Sequence, residues 1–160
     1  MGNPLLVIRE KNIYQDLTFA IYIWHPLKAN PMQLLKAVHH IAIICSDYEK
    51  SKHFYTDILG FEIVREVFRE ARKSYKLDLS LGGHYIIELF SFPEPPKRPS
   101  RPESTGLRHI AFEVENIQLA IEALNEKQVV TEPIRIDEFT GKKFTFFADP
   151  DDLPIELYEV

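Results

Sequence analysis

An internal repeat constrains the fold of this chain more than any other feature of its sequence. The segment Val-His-His-Ile-Ala at residues 38–42 returns as Leu-Arg-His-Ile-Ala at residues 107–111. Each copy leads to a glutamate inside an apolar run, Glu88 in Ile-Glu-Leu-Phe and Glu156 in Ile-Glu-Leu-Tyr. The repeat predicts one domain made of two similar modules.

The spacing within the two copies agrees closely. His40 and Glu88 are 48 residues apart, and His109 and Glu156 are 47 residues apart. The shared Ile-Ala dipeptide makes His40 the equivalent of His109. Two histidine–glutamate pairs at matching spacing indicate one shared metal site.

Each module reads as β-α-β-β-β from its hydrophobic pattern and its turn residues. In the first module we expect strands at 37–45, 61–68, 74–81 and 84–92, and a helix capped by Ser46 or Asp47 that ends near Leu59 before Gly60. In the second we expect strands at 107–114, 129–136, 143–148 and 154–159, and a helix at 116–127. Helices and strands of this kind together predict the α+β class.

A proline-rich segment separates the modules and cannot form a central strand or a helix interior. We therefore expect one domain over residues 32–160, with modules 34–92 and 106–160 joined by a connector at 93–105. Residues 1–31 are expected to be an extension outside this domain. The alternative is that their apolar patch, 17–24, docks on it as an extra strand or helix.

Composition narrows the possible partners and compartment. The apolar patch is far shorter than the roughly 20 residues that cross a bilayer, and no convincing secretory cleavage site follows it. Net charge is −5 and no segment concentrates lysine and arginine, so nucleic acid is not expected as a partner. The single cysteine, Cys45, excludes an internal disulfide and fits the cytoplasm.

Strand geometry distinguishes the two adjacent histidines of the first copy. Successive side chains of a strand point to opposite faces, so His39 and His40 cannot both face one site from a regular strand. The alignment with His109 selects His40 as the ligand. His39 and Cys45 are then expected to be packing residues.

Each of the four residues also has an ordinary structural explanation. A strand histidine is often a hydrogen-bonded structural residue, and a strand glutamate can face solvent on a half-exposed sheet. An unpaired carboxylate within the apolar run around Glu88 would nevertheless be costly to bury, and Glu156 has nearly the same setting. The matched set therefore favours a metal site. Imidazole and carboxylate ligands suit Zn, Ni, Co, Mn or Fe, and four ligands leave open positions on a six-coordinate ion.

The paired modules and the His-Glu-His-Glu set resemble the vicinal oxygen chelate superfamily, which includes glyoxalase I and extradiol dioxygenases. The resemblance covers residues 34–160 and extends to short motifs in both modules. These motifs are His-Ile-Ala-Ile (40–43), Ser-Lys-His-Phe-Tyr (51–55), Ile-Leu-Gly-Phe (58–61), Phe-Ala-Asp-Pro (147–150) and Pro-Ile-Glu-Leu (154–157).

The resemblance implies a fold and a ligand set. Two tandem βαβββ modules would form a curved, barrel-like mixed sheet around one divalent metal ion. The implied ligands are His40, Glu88, His109 and Glu156. Glutamates at both strand positions are similar to glyoxalase I, whereas dioxygenases and fosfomycin-modifying transferases lack an acidic ligand at the position of Glu88. By that similarity Glu88 and Glu156 are the catalytic base and acid, in either order.

The expected function is that of a metal-dependent lyase or isomerase of glyoxalase I type, in which a proton moves next to a metal-bound carbonyl. The alternatives are a metal-containing protein that binds a small molecule without turnover, and an Fe(II) extradiol-type dioxygenase. Family members often form homodimers, which leaves open a metal site within one chain or across two.

The substrate is expected to be small and anionic or linked to glutathione, since arginine pairs bidentately with carboxylate or phosphate. The candidate cations are Arg69, Arg72, Lys97, Arg98, Arg101 and Arg108. The ordinary alternative for each of them is a solvated charge on the surface. The connector is either a rigid flap over the site or a simple link.

Overall fold

The computed structural model describes residues 34–160. The expectations for the extension 1–31 and its apolar patch lie outside the described residues. Within them, no helix combines the length and the apolar character that crossing a membrane requires.

The first module contains four strands and one helical segment, as the sequence predicts. The strands are β1 (Ile41–Cys45), β2 (Glu62–Arg69), β3 (Ser74–Leu81) and β4 (His84–Ser91), and the helix is α1 (Tyr48–His53). A π-helical turn, Phe54–Ile58, continues α1, and a 3₁₀ turn, Glu70–Arg72, precedes β3. Strand β1 begins four residues later than predicted.

Local chemistry explains where the helical segment begins and ends. The carboxylate of Asp47 accepts a hydrogen bond from the backbone N–H of Lys50 at 3.1 Å and so caps the first turn. Gly60 follows the π-helical turn with φ +80°, a conformation that glycine adopts at little cost. The chain then enters β2.

The second module repeats this order with one departure from the prediction. Its elements are β5 (Ile110–Val114), α2 (Ile117–Glu126), β6 (Arg135–Ile136), β7 (Lys143–Ala148) and β8 (Pro154–Glu159). The predicted strand 129–136 is wrong except for its last two residues. Between α2 and β6 the chain instead follows β7 through isolated bonds, such as that from the Glu132 N–H to the Phe146 carbonyl at 2.7 Å.

The repeat extends to the strand register. The sheets have the orders β1-β4-β3-β2 and β5-β8-β7-β6, with the first two strands of each parallel. Ala42 lies opposite Glu88 on β4, and Ala111 lies opposite Glu156 on β8. Each histidine therefore precedes the residue that faces its glutamate by two positions, and this offset is the same in both modules.

The two modules share a hydrophobic core. It includes Ile43, Leu77 and Leu89 from the first module and Phe147 and Ile155 from the second. The α+β class is thus confirmed, but among the described strands the two sheets stay separate and no closed barrel forms.

Candidate metal centre

The first predicted pair is formed at the edge of the first sheet. The Nε2 atom of His40 lies 3.2 Å from Oε2 of Glu88. His40 immediately precedes β1, and Glu88 lies in the parallel neighbour β4. Both side chains are partly exposed, His40 at 34% and Glu88 at 13%.

The second oxygen of Glu88 is held by two donors that sequence reasoning missed. The Nζ atom of Lys76 lies 2.6 Å from Oε1, and the Tyr85 hydroxyl donates a short hydrogen bond to the same oxygen. Burial alone would raise the pKa of Glu88, but the bonds from Lys76 and Tyr85 outweigh it and the pKa is lowered. Glu88 is therefore held as a carboxylate with Oε2 left for His40 or a metal.

Behind this pair, a buried aspartate fixes the lysine. Asp78 is 4% exposed and lies 2.5 Å from Lys76 Nζ and 2.7 Å from Arg65 Nη2. Burial acts to raise the pKa of Asp78, and its bonds to Lys76 and Arg65 reverse that effect and lower it. Lys76 thus bridges the carboxylates of Asp78 and Glu88. The alternating pattern of strand residues in the sequence does not predict this contact.

His39 is not a packing residue, and that prediction is wrong. It is exposed, and its Nδ1 lies 2.8 Å from Nδ1 of His40. Its ring also meets that of Tyr85 edge to face, with centroids 5.3 Å apart. The strand argument fails here because β1 begins only at Ile41, so residues 39 and 40 need not alternate. Cys45, by contrast, is buried as predicted.

The second predicted pair repeats the geometry of the first. The Nε2 atom of His109 lies 2.9 Å from Oε2 of Glu156. The ring of Phe146 meets the imidazole edge to face, with centroids 5.2 Å apart. In the described part of the chain, His109 is the one ion-pair partner of the Glu156 carboxylate, and no side chain forms a hydrogen bond or ion pair with its other oxygen.

The donor atoms of both pairs fit a metal ion. Bonds from imidazole nitrogen or carboxylate oxygen to a first-row metal are about 2.0–2.2 Å long, so two such ligands at right angles lie about 3 Å apart. The observed separations of 3.2 Å and 2.9 Å match this spacing. The hydrogen bonds to Glu88 are also of the kind that commonly orients a carboxylate ligand.

The two pairs do not meet within one chain. The residues on either side of Glu88 and Glu156 all belong to the shared core; they are Ile87, Leu89, Ile155 and Leu157. Because strand side chains alternate, both glutamates point away from that core. Accordingly, the described residues contain no group of three or more histidine, cysteine, aspartate or glutamate side chains placed to hold one metal ion.

Three of the candidate cations gather beside His109. Arg98, Arg101 and Arg108 line a cavity of about 160 Å³ together with this histidine. Arg69 instead stacks on the rings of Phe90 and Phe92. Neither Arg72 nor Lys97 lines the cavity.

Arg135 also lines this cavity and was missed by sequence reasoning. Arg135 lies opposite Phe144 on β7. Phe146 follows two residues later on β7 and lies opposite Glu156 on β8. A correct placement of β6 beside β7 would therefore have brought Arg135 to the histidine–glutamate pair.

The paired βαβββ modules and the two matched histidine–glutamate pairs have the arrangement expected of a vicinal oxygen chelate fold, and comparison with known families gives the same answer. Residues 37–157 match the Glyoxalase/Bleomycin resistance protein/Dioxygenase superfamily. The chain belongs to this family, as its resemblance to vicinal oxygen chelate proteins predicted.

Several relatives resemble this chain over most of its length. The uncharacterized protein YwkD of Bacillus subtilis is 65% identical over 79% of this chain and 98% of its own length. A glyoxalase family protein from Enterococcus faecalis has a crystal structure with TM-score 0.73 and 52% identity, covering 78% of this chain and 98% of that one. Glyoxylase I 4 of Arabidopsis thaliana is 30% identical over 80% of this chain and 72% of that protein.

The family as a whole includes epimerases, glyoxalase I-type proteins and thiol transferases of fosfomycin resistance. Many of its members are metal-dependent enzymes, and its proteins commonly use a divalent metal ion, bind small molecules and form dimers. Membership therefore defines a range of activities rather than one reaction.

Proposed function

We propose that this protein is a divalent-metal-dependent lyase or isomerase of glyoxalase I type that moves a proton next to the carbonyl of a small α-carbonyl or thiohemiacetal substrate. The observation that carries this proposal is the pair of His–Glu contacts at 3.2 Å and 2.9 Å, at the same register in both modules. The similarity to Glyoxylase I 4 supports it.

We further propose that one site is assembled from His40 and Glu88 of one protomer and His109 and Glu156 of its partner. Support comes from the orientation of both pairs away from the shared core of one chain. Apolar side chains on or beside the pair-bearing sheet are also uncovered: Ile44, on the same face of β1 as Ala42, is 55% exposed, and Val64 on the edge strand β2 is 58% exposed. Exposed apolar groups and unpaired strand edges are typical of surfaces that another protein covers.

In this arrangement the four side chains would hold one ion of Ni, Zn, Co, Mn or Fe. A divalent metal bound there would supply a Lewis acid that stabilises the oxyanion formed when a proton leaves the carbon next to a carbonyl. The protein then needs one carboxylate that stays in place and one that can accept and return the proton.

The contacts of the two glutamates suggest which role each plays. Glu88 is fixed by Lys76 and Tyr85 through one oxygen and faces His40 through the other. Glu156 has His109 as its one ion-pair partner among the described residues, so its Oε1 is available to accept a proton from a substrate C–H and return it to the neighbouring carbon. We therefore assign Glu156 as the base and Glu88 as the anchored carboxylate.

We place the enzyme in the cytoplasm. Cys45 is a free thiol, and burial raises its pKa to about 11, so it stays protonated and unreactive. A reduced, buried thiol of this kind is compatible with a reducing compartment.

The test is turnover of the hemithioacetal of methylglyoxal and glutathione by metal-free protein reloaded with Ni, Co, Zn, Mn or Fe. With at least one metal we expect product formation and exchange of the substrate C–H proton in deuterated water, on this compound or on a related α-carbonyl substrate. Metal binding without turnover or exchange on this and related α-carbonyl substrates would contradict the proposed reaction.

A further inference from the structure

The cavity beside His109 carries an unusual concentration of positive charge for an acidic protein. Four arginines line it, namely Arg98, Arg101, Arg108 and Arg135, against two acidic residues, Glu103 and Glu132. The lining thus has a formal charge of +2 while the whole chain has −5. A cleft with this excess attracts anions.

Two of the arginines share one carboxylate before any ligand binds, and one of them, Arg135, is also held by aromatic rings. Glu132 lies 2.9 Å from Arg135 Nη2 and 3.4 Å from Arg101 Nη2, so one carboxylate serves two guanidinium groups and the trio keeps a net positive charge. The Arg135 guanidinium also lies over the rings of Phe144 and Phe146, at 4.9 Å and 5.0 Å from their centroids. A guanidinium group fixed in this way, as that of Arg135 is, loses little freedom when it binds a ligand.

Two buried nitrogen atoms at the cavity lack hydrogen-bond partners. Among the described residues, neither Nε of Arg98 nor Nδ1 of His109 has one. Arg98 is anchored elsewhere, since its Nη2 donates to the carbonyl of Leu107. Buried polar atoms without partners are costly and uncommon, so these two point to a group that binds in the cavity.

The connector completes this cavity rather than merely linking the modules. Pro99, Ser100 and Arg101 all line it, and the Ser100 hydroxyl donates to the carbonyl of Asp152 at 2.7 Å. This bond fastens the connector to the second module. The arginines that the connector carries are thereby held beside His109.

We propose that this cavity binds a phosphate or phosphonate group of the substrate, and we rest this on the proposed function, which places the reacting carbon near Glu156. A volume of about 160 Å³ accommodates a compact tetrahedral oxyanion. Its several acceptor oxygens have the guanidinium groups of the lining as partners, and guanidinium groups bind phosphate bidentately. These groups belong to Arg98, Arg101, Arg108 and Arg135. The substrate class is then a phosphorylated or phosphonylated α-carbonyl compound.

The test uses the full chain after metal removal, with inorganic phosphate as the probe and sodium chloride to hold ionic strength constant. Calorimetric titration should detect phosphate binding to the wild type. Arg108→Gln and the double variant Arg101→Gln/Arg135→Gln should each weaken it by roughly tenfold or more, because a hydrogen bond to a charged group contributes more than a neutral one. Arg108 is exposed, so its replacement leaves the fold intact even if the double variant does not fold.

Arg72→Gln is the matched control, because Arg72 lies in the 3₁₀ turn before β3 and does not line the cavity. Phosphate binding that is absent in the wild type, or lost equally in Arg72→Gln, overturns the inference. Tighter binding of malonate than of phosphate also overturns it and assigns a dicarboxylate instead.

Metal content of the same variants separates this inference from the proposed function. The phosphate subsite alone is contradicted by cavity variants that contain wild-type amounts of metal as purified and still bind phosphate at the wild-type level after metal removal. A wild-type protein that binds phosphate but no metal contradicts the proposed reaction alone.

Discussion

The two modules present the same His–Glu pair at the same strand register, yet they surround the glutamate differently. In the first module Glu88 receives bonds from Lys76 and Tyr85, and Lys76 is itself held by the buried Asp78. In the second module the Glu156 carboxylate has one ion-pair partner among the described residues, His109, whose ring meets that of Phe146 edge to face.

This difference shows that the repeat preserves the positions of the candidate ligands while their neighbours differ. The residues opposite the two glutamates on the next strand are Asp78 in the first module and Phe146 in the second. One carboxylate is therefore anchored through a charged network, and the other is held by a single ion pair. Cations gather at both pairs, but in the second they line a cavity instead of binding the glutamate.

The largest expected effect tests Glu156, the carboxylate with a single ion pair. Replacing Glu156 with glutamine should lower turnover of the metal-loaded enzyme by about 10²- to 10⁴-fold, the usual contribution of a general base. Glu88→Gln should lower it less. Proton exchange measured by NMR in deuterated water checks both.

Glu126→Gln, at the exposed end of α2, is the control and should behave as the wild type. Wild-type exchange in Glu156→Gln, or a larger loss in Glu88→Gln, would reverse our assignment of the two glutamates.

The next largest effect is expected on metal affinity, through the anchored carboxylate of Glu88. Lys76→Met removes the ion pair that fixes Glu88, and it should weaken metal binding by roughly 10- to 100-fold, as for other groups that orient a metal ligand. Competition with a metal indicator dye measures this. Lys50→Met, on the exposed surface of α1, should leave the affinity unchanged. Equal affinities in all three proteins would show that Lys76 does not support the site.

The lowered pKa values of Asp78 and Glu88 also predict how stability depends on pH. In the unfolded chain these carboxyls titrate near their ordinary values of about 3.9 and 4.3, and in the folded protein they titrate lower. The unfolded state therefore takes up protons first, so their stabilisation is complete above about pH 5 and is lost as pH falls through the lower, folded pKa values.

Urea unfolding at several pH values between about 3 and 6 checks this dependence, since it follows the free energy of unfolding directly. The free energy should fall more steeply toward acid in the wild type than in Lys76→Met. Parallel curves for the two proteins would mean that Lys76 does not stabilise these carboxylates.

The smallest expected effect is the change in stability when Asp149 of the second module is replaced. Burial raises the pKa of this carboxyl, whereas the pKa values of Asp78 and Glu88 are lowered. Its Oδ1 accepts bonds from the N–H groups of Asp151 and Leu153, and its Oδ2 accepts one from the Tyr55 hydroxyl. Asparagine can keep the two backbone bonds, so Asp149→Asn should change the unfolding free energy by less than about 1 kcal/mol near neutral pH. Thermal melting measures this.

Asp149→Ala serves as the contrasting variant, because alanine keeps none of these bonds and should destabilise the protein more. Its melting temperature should therefore lie below that of Asp149→Asn. Equal losses in the two variants would show that the negative charge itself is required.

Much of the fold could be predicted because its signals are local. The strands Ser74–Leu81, Lys143–Ala148 and Pro154–Glu159 appear at the residues predicted from their apolar patterns and turn residues. The two His–Glu pairs followed from the repeat, since equal spacing on paired parallel strands brings equivalent side chains together.

The parts that sequence did not reveal depend on contacts between distant residues. The short strand β6 pairs with β7 for only two residues, so its position, and with it that of Arg135, is set by tertiary contacts. The network of Lys76 and Asp78 is likewise visible only once β3 lies beside β4. Whether the four proposed ligands meet stays a prediction, because it depends on a second copy of the chain.

The most direct test of a shared metal site is to unfold two variants, His40→Ala and His109→Ala, refold them together in equal amounts, and measure bound metal. In a dimer of either variant alone, every site lacks one of its two histidines. In a mixed dimer built as we propose, one site collects both substitutions and the other keeps all four ligands, so bound metal should recover to about a quarter of the wild-type amount for random pairing of two-fold symmetric dimers. No recovery, with mixed dimers present, would contradict a site shared between two protomers.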